Sequence, residues 1–132
     1  MLRERGLTGA KRSCDLQVCG TCTVLLDDLP VSACCVLAAD AHGRSVETVE
    51  GLAATPAFER YREVLARDNV FQCGFCAPGF VLTLHAACER GALRSRADVV
   101  HELSGNLCRC TGYRAILDAA VEIAGLAPED VP

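Results

Sequence analysis

Ten cysteines among 132 residues are the side chains most able to do chemistry in this sequence. In the first half, Cys14, Cys19 and Cys22 follow the spacing C-x4-C-x2-C, and Cys34 and Cys35 lie further along the chain. This is the plant-type spacing of a 2Fe–2S cluster, whose thiolates come from one short loop and one distant cysteine. The sequence therefore predicts a 2Fe–2S site held by four thiolates.

Cys34 and Cys35 compete for the fourth position in that site. They are adjacent in a predicted strand or at its end, where successive side chains point to opposite faces. Only one of them should therefore reach the cluster, and the other is expected to be a small apolar filler.

Four further cysteines form two close pairs in the second half. Cys73-Gly-Phe-Cys76 precedes a predicted helix, and Cys108-Arg-Cys110 precedes another. Helix N-termini carry partial positive charge that favours anionic thiolates, so the two helix starts are expected to converge on one site. A 2Fe–2S cluster, a four-cysteine zinc site and a thioredoxin-type redox pair at Cys73 and Cys76 are the interpretations open for these residues.

Strands and loops are predicted to carry the first set of thiols. Residues 23–26 and 31–34 are short β-prone runs, and residues 27–30 between them predict a hairpin turn. Residues 45–50 predict a further extended piece. The chain up to a boundary near residues 52–55 is thus expected to be a unit of mixed strand and loop.

Helices are predicted to carry the second set of thiols. The signals are an N-cap followed by proline for the first helix and a capping box with Asp98 for the third. Cys88 lies on the apolar face of the second helix and is predicted to be a core residue. The four helices are expected to begin after Thr55, near Pro78, after Ser95 and at Tyr113, and the last to end near Ala124.

Composition limits the functions open to this chain. Its formal net charge of −4 provides no basic surface for nucleic acid, and no apolar stretch reaches the ~20 residues that span a membrane.

The first residues contain no apolar segment typical of a secretory signal, so we expect a cytoplasmic protein. Thiols stay reduced there, which favours metal or redox chemistry over disulfides. His42, His85 and His101 do not adjoin the cysteine pairs and are not expected to be ligands.

Three longer motifs resemble those of a known family. They are Cys14-x4-Cys19-Gly-Thr-Cys22-Thr-Val, Gln72-Cys73-Gly-Phe-Cys76-Ala-Pro-Gly79 and Ser104-Gly-Asn-Leu-Cys108-Arg-Cys110-Thr-Gly-Tyr113. Together they closely resemble the small iron–sulfur subunit of molybdenum hydroxylases, the family of xanthine oxidase and aerobic carbon monoxide dehydrogenase. The resemblance covers the chain from about Leu2 to Ala124.

The resemblance implies an α+β fold in two domains, each holding one 2Fe–2S cluster. Residues 1–53 would form a plant-type ferredoxin-like β-grasp domain, truncated at its start, and residues 54–132 a helical four-helix-bundle domain. Spacing in the family favours Cys34 over Cys35 as the fourth ligand of the first cluster. The implied ligands are Cys14, Cys19, Cys22 and Cys34 in the first domain and Cys73, Cys76, Cys108 and Cys110 in the second.

The resemblance also implies a role in an oxidoreductase. The chain would be an electron-transfer subunit with no catalytic residues of its own. Electrons would pass from a molybdopterin cofactor on a large subunit through the helical-domain cluster, then the first-domain cluster, to FAD on a medium subunit. Gln72 and Cys110 would contact the pterin. A stand-alone ferredoxin-like carrier and a zinc-stabilised interaction module are the alternatives that the sequence leaves open.

Two departures from the family pattern concern the first domain. The family usually has a β-hairpin before the equivalent of Leu2, so either the start is assigned wrongly or the domain lacks two strands and exposes a sheet edge. The family also has glycine at the positions of Ser13 and Gln17, which predicts special backbone angles there. Both positions lie close to Cys14, so these angles bear on whether that thiol is a ligand.

Overall fold

The computed structural model describes residues 1–127, which contain helices and one small sheet in an α+β arrangement. The predicted second domain extends to residue 132, and its last five residues lie outside the described part. Within residues 1–127, no helix is long and apolar enough to cross a membrane. The elements are β1 (Thr23–Leu26), β2 (Leu29–Ser32), β3 (Val46–Glu47), α1 (Val49–Ala53), α2 (Phe58–Arg67), α3 (Ala77–Glu89), α4 (Arg96–Leu103) and α5 (Tyr113–Ile123).

The three strands form an antiparallel sheet in the order β2-β1-β3. Asp27 and Asp28 close the β1–β2 hairpin with φ of 48° and 65°. Two consecutive residues with positive φ suit the right-handed twist of a two-residue hairpin. The hairpin is therefore tighter than predicted, so β2 begins at Leu29 and includes Pro30, which pairs with Leu25. Proline is tolerated there because β2 lies at the edge of the sheet.

The segment between the sheet and the long helices differs from the prediction. Extended structure was expected through residue 50, yet only Val46–Glu47 forms a strand and α1 follows at once. Thr55 does not cap α2. Its hydroxyl instead donates to the Leu52 carbonyl oxygen at 2.7 Å, and α2 begins three residues later. A five-residue helix is too short to form on its own propensity, so the burial of Leu52 in the core stabilises it.

The four predicted helices are confirmed as α2 to α5. The capping box of α4 is present: the Ser95 hydroxyl accepts from the Asp98 N–H, and the Asp98 carboxylate accepts from the Ser95 N–H. The helix α3 is buried along most of its length and packs on β1, α1 and α4. Leu25 of β1 belongs to the same apolar core as these helices, and Cys88 is half-buried against it. The sheet and the helices therefore share one apolar core.

Candidate metal centres

The first candidate centre lies where the N-terminal loop enters β1. Cys19 and Cys22 are buried, and Cys14 is half-buried on the loop before them. The Lys11 N–H donates to the Thr21 carbonyl oxygen at 2.9 Å, which closes the loop. Cys19 lies within interaction range of both Cys14 and Cys22, so the loop brings the three thiols of the C-x4-C-x2-C motif near one another.

Backbone N–H groups of this loop point at the Cys14 sulfur. Those of Leu16, Val18 and Cys19 lower the pKa of the Cys14 thiol to about 6, and the Leu16 nitrogen lies 3.4 Å from Cys14 Sγ. Burial has the opposite effect on Cys22, whose pKa it raises to about 11. The loop is thus suited to hold Cys14 as a thiolate, the form in which sulfur binds metals.

The backbone of this loop is left-handed at one of the two positions where the related family has glycine. Gln17 has φ of 57°, and Asp15 nearby has φ of 55°. Side chains other than glycine cost about 1–2 kcal/mol in this conformation. The predicted special angle is confirmed at Gln17, whereas Ser13 lies outside the left-handed region. Despite this strain, Cys14 still faces the N–H donors.

Cys34 and Cys35 lie in a turn, so the prediction that they occupy a strand and point to opposite faces is wrong. The strand β2 ends at Ser32, and its carbonyl oxygen accepts the Cys35 N–H at 3.0 Å. This tight turn brings the two sulfur atoms within 3.6 Å of each other. Cys34 is less exposed and lies within interaction range of Cys22. Cys35 is exposed and fills no core.

The second candidate centre lies between the starts of two helices, as predicted. Cys76 is the residue before α3, and Cys108 and Cys110 lie just before α5. Cys73 Sγ and Cys110 Sγ are 3.5 Å apart, with the Cys110 thiol donating. Cys76 and Cys108 are close enough to shift each other's pKa. The four thiols thus meet although 37 residues separate the ends of the set.

Hydrogen bonds in the second centre favour the thiolate form of two of its cysteines, Cys73 and Cys108. The Phe75 N–H lowers the pKa of Cys73. Burial raises the pKa of Cys108, but the hydrogen bonds from Thr111, Cys110 and Cys76 together outweigh it, so the pKa falls below the ordinary thiol value. Burial raises the pKa of Cys76 to about 12. A bound cation would offset that effect, since coordination keeps a buried thiol deprotonated.

Thr111 is a residue of this centre that the sequence analysis missed. Its N–H donates to Cys108 Sγ at 3.3 Å, and its hydroxyl accepts the Gln72 N–H at 3.0 Å. It therefore ties the two thiol-bearing segments together. The Gln72 side chain is exposed beside Cys73 and Cys110, which are exposed too. Its position directly after the Cys108-Arg-Cys110 motif was the signal in the sequence that could have identified it.

Direct hydrogen bonds join the two centres. The Leu107 N–H donates to the Cys19 carbonyl oxygen at 2.9 Å, so the residue before Cys108 contacts a thiol-bearing residue of the first centre. Asn106, only 3 % exposed, donates from its side-chain amide to the Gly20 carbonyl oxygen at 3.1 Å. The sequence analysis did not predict either contact.

Glycine at two positions permits this close approach. Gly79 in the first turn of α3 lies against the Gly20 carbonyl group, where a Cβ atom would overlap the oxygen. Gly20 has φ of 66°, and a Cβ there would meet the Gly105 carbonyl oxygen at 2.6 Å. The loop of the first centre therefore packs backbone to backbone against the start of α3, which belongs to the second centre.

One pair of thiols in the second centre has the spacing of two ligands on one metal. Within the described residues, no three Cys, His, Asp or Glu side chains are placed to hold one metal ion. Two thiolates 2.3 Å from a tetrahedral metal lie about 3.8 Å apart, close to the 3.5 Å between Cys73 and Cys110. His85 is hydrogen-bonded away from the thiols, with its Nδ1 3.3 Å from the Tyr61 hydroxyl oxygen. The spacing of Cys73 and Cys110 is therefore compatible with two thiolates on one metal.

Comparisons with known proteins place the chain among iron–sulfur proteins. Residues 48–121 match the family model described as 2Fe-2S binding domain. The chain is 41% identical over 122 residues to the nicotine 6-hydroxylase small subunit of Paenarthrobacter nicotinovorans, covering 92% of this chain and 73% of that protein. It is 37% identical to the xanthine dehydrogenase iron-sulfur-binding subunit of Escherichia coli O157:H7, over 92% of this chain and 78% of that protein.

A solved structure has the same fold. Quinoline 2-oxidoreductase from Pseudomonas putida 86 superposes with a TM-score of 0.84 at 42% identity, covering 94% of this chain and 78% of that chain. Aldehyde oxidoreductase from Desulfovibrio gigas superposes with a TM-score of 0.82 at 33% identity, covering 94% of this chain and 14% of that chain.

Proposed function

Because the chain belongs to the family of small iron–sulfur subunits of molybdenum hydroxylases, we propose that it relays electrons through two 2Fe–2S clusters. The direction is from a molybdopterin centre on a large subunit, through the second centre and then the first, to FAD on a medium subunit. The chain is part of an oxidoreductase and is not catalytic alone. Residues 1–53 would be the ferredoxin-like β-grasp domain, and residues 54–132 the four-helix domain.

The contacts between thiols support a proposal for which two cysteines bind each iron. In the second centre, Cys73 with Cys110 would hold one iron and Cys76 with Cys108 the other. This assignment is supported by the 3.5 Å between the first two sulfurs and by the mutual influence of the second two. A 2Fe–2S cluster held in this way would accept and release one electron at a time.

The first centre supports the same assignment by pairs. Cys14 with Cys19 would hold one iron, and Cys22 with Cys34 the other, because each pair lies within interaction range. The N–H groups around Cys14 would then face a sulfur atom of the cluster. Hydrogen bonds to the sulfurs are among the features that set the potential of such a cluster.

The observation that carries the relay is the hydrogen bond from Leu107 N–H to the Cys19 carbonyl oxygen. It connects the backbone of one proposed ligand, Cys19, with that of the residue preceding another, Cys108. An electron passing between the centres would follow covalent bonds interrupted by a single 2.9 Å hydrogen bond. Electron transfer through such a route is faster than transfer through space, which suits a relay.

The exposed rim of the second centre supports contact with a partner cofactor. Gln72, Cys73 and Cys110 are exposed together, and Phe75 beside them is 45% exposed. The Gln72 amide can both donate and accept hydrogen bonds, as the polar edge of a pterin requires. The second centre would therefore face the large subunit, with Gln72 and Cys110 nearest the pterin.

Removing the connecting hydrogen bond tests the relay. Leu107→Pro deletes the N–H, whereas Leu107→Ala keeps it and serves as the control. Each variant is coexpressed with the large and medium subunits, and the reduction of each centre by substrate is followed by freeze-quench electron paramagnetic resonance. We expect normal reduction of the second centre and slower reduction of the first in Leu107→Pro, at unchanged iron content. Equal rates in the two variants would contradict the route.

A further inference from the structure

We propose that Cys35 is an interchangeable ligand of the first centre, able to replace Cys34. This inference rests on the proposed function, because it concerns the cluster assigned to that centre. A fifth thiol, that of Cys35, lies beside Cys34 in the turn that follows β2.

The distance between the competing sulfurs supports exchange. Cys34 Sγ and Cys35 Sγ are 3.6 Å apart, within hydrogen-bonding range of each other. A metal bound by Cys34 would therefore lie within a small displacement of Cys35. Had the residues occupied a strand, their side chains would have diverged and this approach would not occur.

Backbone hydrogen bonds hold the turn that carries Cys34 and Cys35. The Ala33 N–H donates to the Cys22 carbonyl oxygen at 3.2 Å, which fixes the start of the turn beside another thiol of the centre. The Cys35 N–H donates back to Ser32 at 3.0 Å. The turn that carries Cys34 and Cys35 is therefore hydrogen-bonded to the backbone of Cys22.

Cys35 has room to move. It lines a cleft of about 320 Å³ that also contacts Gln17 and Asn106, and its side chain is exposed. A small filler residue would be enclosed by apolar neighbours, which these surroundings do not provide.

The exchange conserves charge and electrons. The iron–sulfur bond to Cys34 breaks while the bond to Cys35 forms, and the Cys35 thiol proton passes to the Cys34 sulfur. At 3.6 Å the two sulfurs are within hydrogen-bonding range, and either can donate. No external oxidant or reductant takes part. Iron stays at its oxidation state, and only the ligand changes.

The test uses the full chain with Cys34→Ala, Cys35→Ala and the double variant, purified anaerobically. Cys22→Ala is the matched control, since its neighbours in sequence, Thr21 and Thr23, carry no thiol. Iron, labile sulfide and the electron paramagnetic resonance of the reduced protein are measured. We expect about four irons in both single variants and about two in the double and control variants. The first-centre signal should shift in Cys34→Ala and stay unchanged in Cys35→Ala.

Other outcomes separate the inference from the proposed function. About two irons in Cys34→Ala, as in the double variant, would overturn the exchange, and so would loss of the first signal in Cys35→Ala. The signal of the second centre reports folding in the same samples. Should Cys34→Ala lose that signal too, Cys34→Ser decides. Retention of the first centre with a cysteine-type spectrum supports exchange, and its loss or a serine-type spectrum refutes it. A wild-type chain without labile sulfide would instead refute the proposed function.

Discussion

Gly79→Ala is the most direct perturbation of the contact between the two centres. A Cβ at residue 79 would overlap the Gly20 carbonyl oxygen and lie 3.2 Å from the carbonyl carbon. Both atoms belong to backbone, which cannot rotate away as a side chain can. That carbonyl oxygen also accepts the Thr23 N–H at 3.2 Å, the Thr23 hydroxyl at 2.7 Å and the Asn106 amide at 3.1 Å. The substitution therefore displaces an acceptor shared by three donors.

The expected magnitude follows from opposing effects. Replacing glycine with alanine inside a helix normally stabilises by about 0.5–1 kcal/mol. Overpacking costs about 1–3 kcal/mol, and one weakened hydrogen bond costs about 1 kcal/mol more. We therefore expect a net loss of about 2 kcal/mol in the free energy of unfolding. At roughly 4 °C per kcal/mol for a chain of this size, Tm should fall by about 8 °C.

The assay is thermal unfolding of the full chain with its centres assembled, at one scan rate, by far-ultraviolet circular dichroism and visible absorption. Gly51→Ala is the matched control in a helix, because its Cβ would meet only the flexible Glu47 side chain, at 3.4 Å. Its Tm should stay level or rise. A Gly79→Ala chain as stable as the wild type would refute the close packing of Gly20 on α3.

Three further substitutions test separate parts of the account. Gln17→Gly should raise stability by about 1 kcal/mol by relieving the left-handed strain, seen as a higher Tm and slower loss of the first centre to an iron chelator; an unchanged Tm would contradict this. Cys88→Ser should retain about four irons while Cys76→Ser retains about two, and equal iron loss in both would show that Cys88 is a ligand. Gln72→Leu should leave iron content unchanged but slow reduction by substrate in the assembled enzyme, because a buried partner left unpaired costs about 1–3 kcal/mol. Wild-type kinetics would remove Gln72 from the electron path.

Local signals in the sequence predicted the helical half well. Ser95 and Asp98 form the expected capping box, and α3 begins one residue before Pro78, because proline suits the first turn of a helix. The second set of cysteines precedes helix starts for the same local reasons. Their convergence followed from two helix N-termini favouring one anionic site.

The errors fall where tertiary contacts override local preference. Leu52 is buried in the core, and this burial makes a helix of α1, where the pattern indicated extended chain. The tight Asp27–Asp28 turn shifts β2 by two residues, which leaves Cys34 and Cys35 beyond the strand. The Asn106 contact with Gly20 spans 86 residues, so no periodicity in the sequence could have revealed it.

Quantitative analysis of iron, acid-labile sulfide and zinc in the anaerobically purified chain tests the central claim most directly. Two 2Fe–2S clusters require about four irons and four labile sulfides per chain, with two distinct paramagnetic signals after reduction. We expect this result, with the signal of the second centre responding to the molybdenum of a coexpressed large subunit. Stoichiometric zinc without labile sulfide would contradict the account and identify a zinc-stabilised module instead.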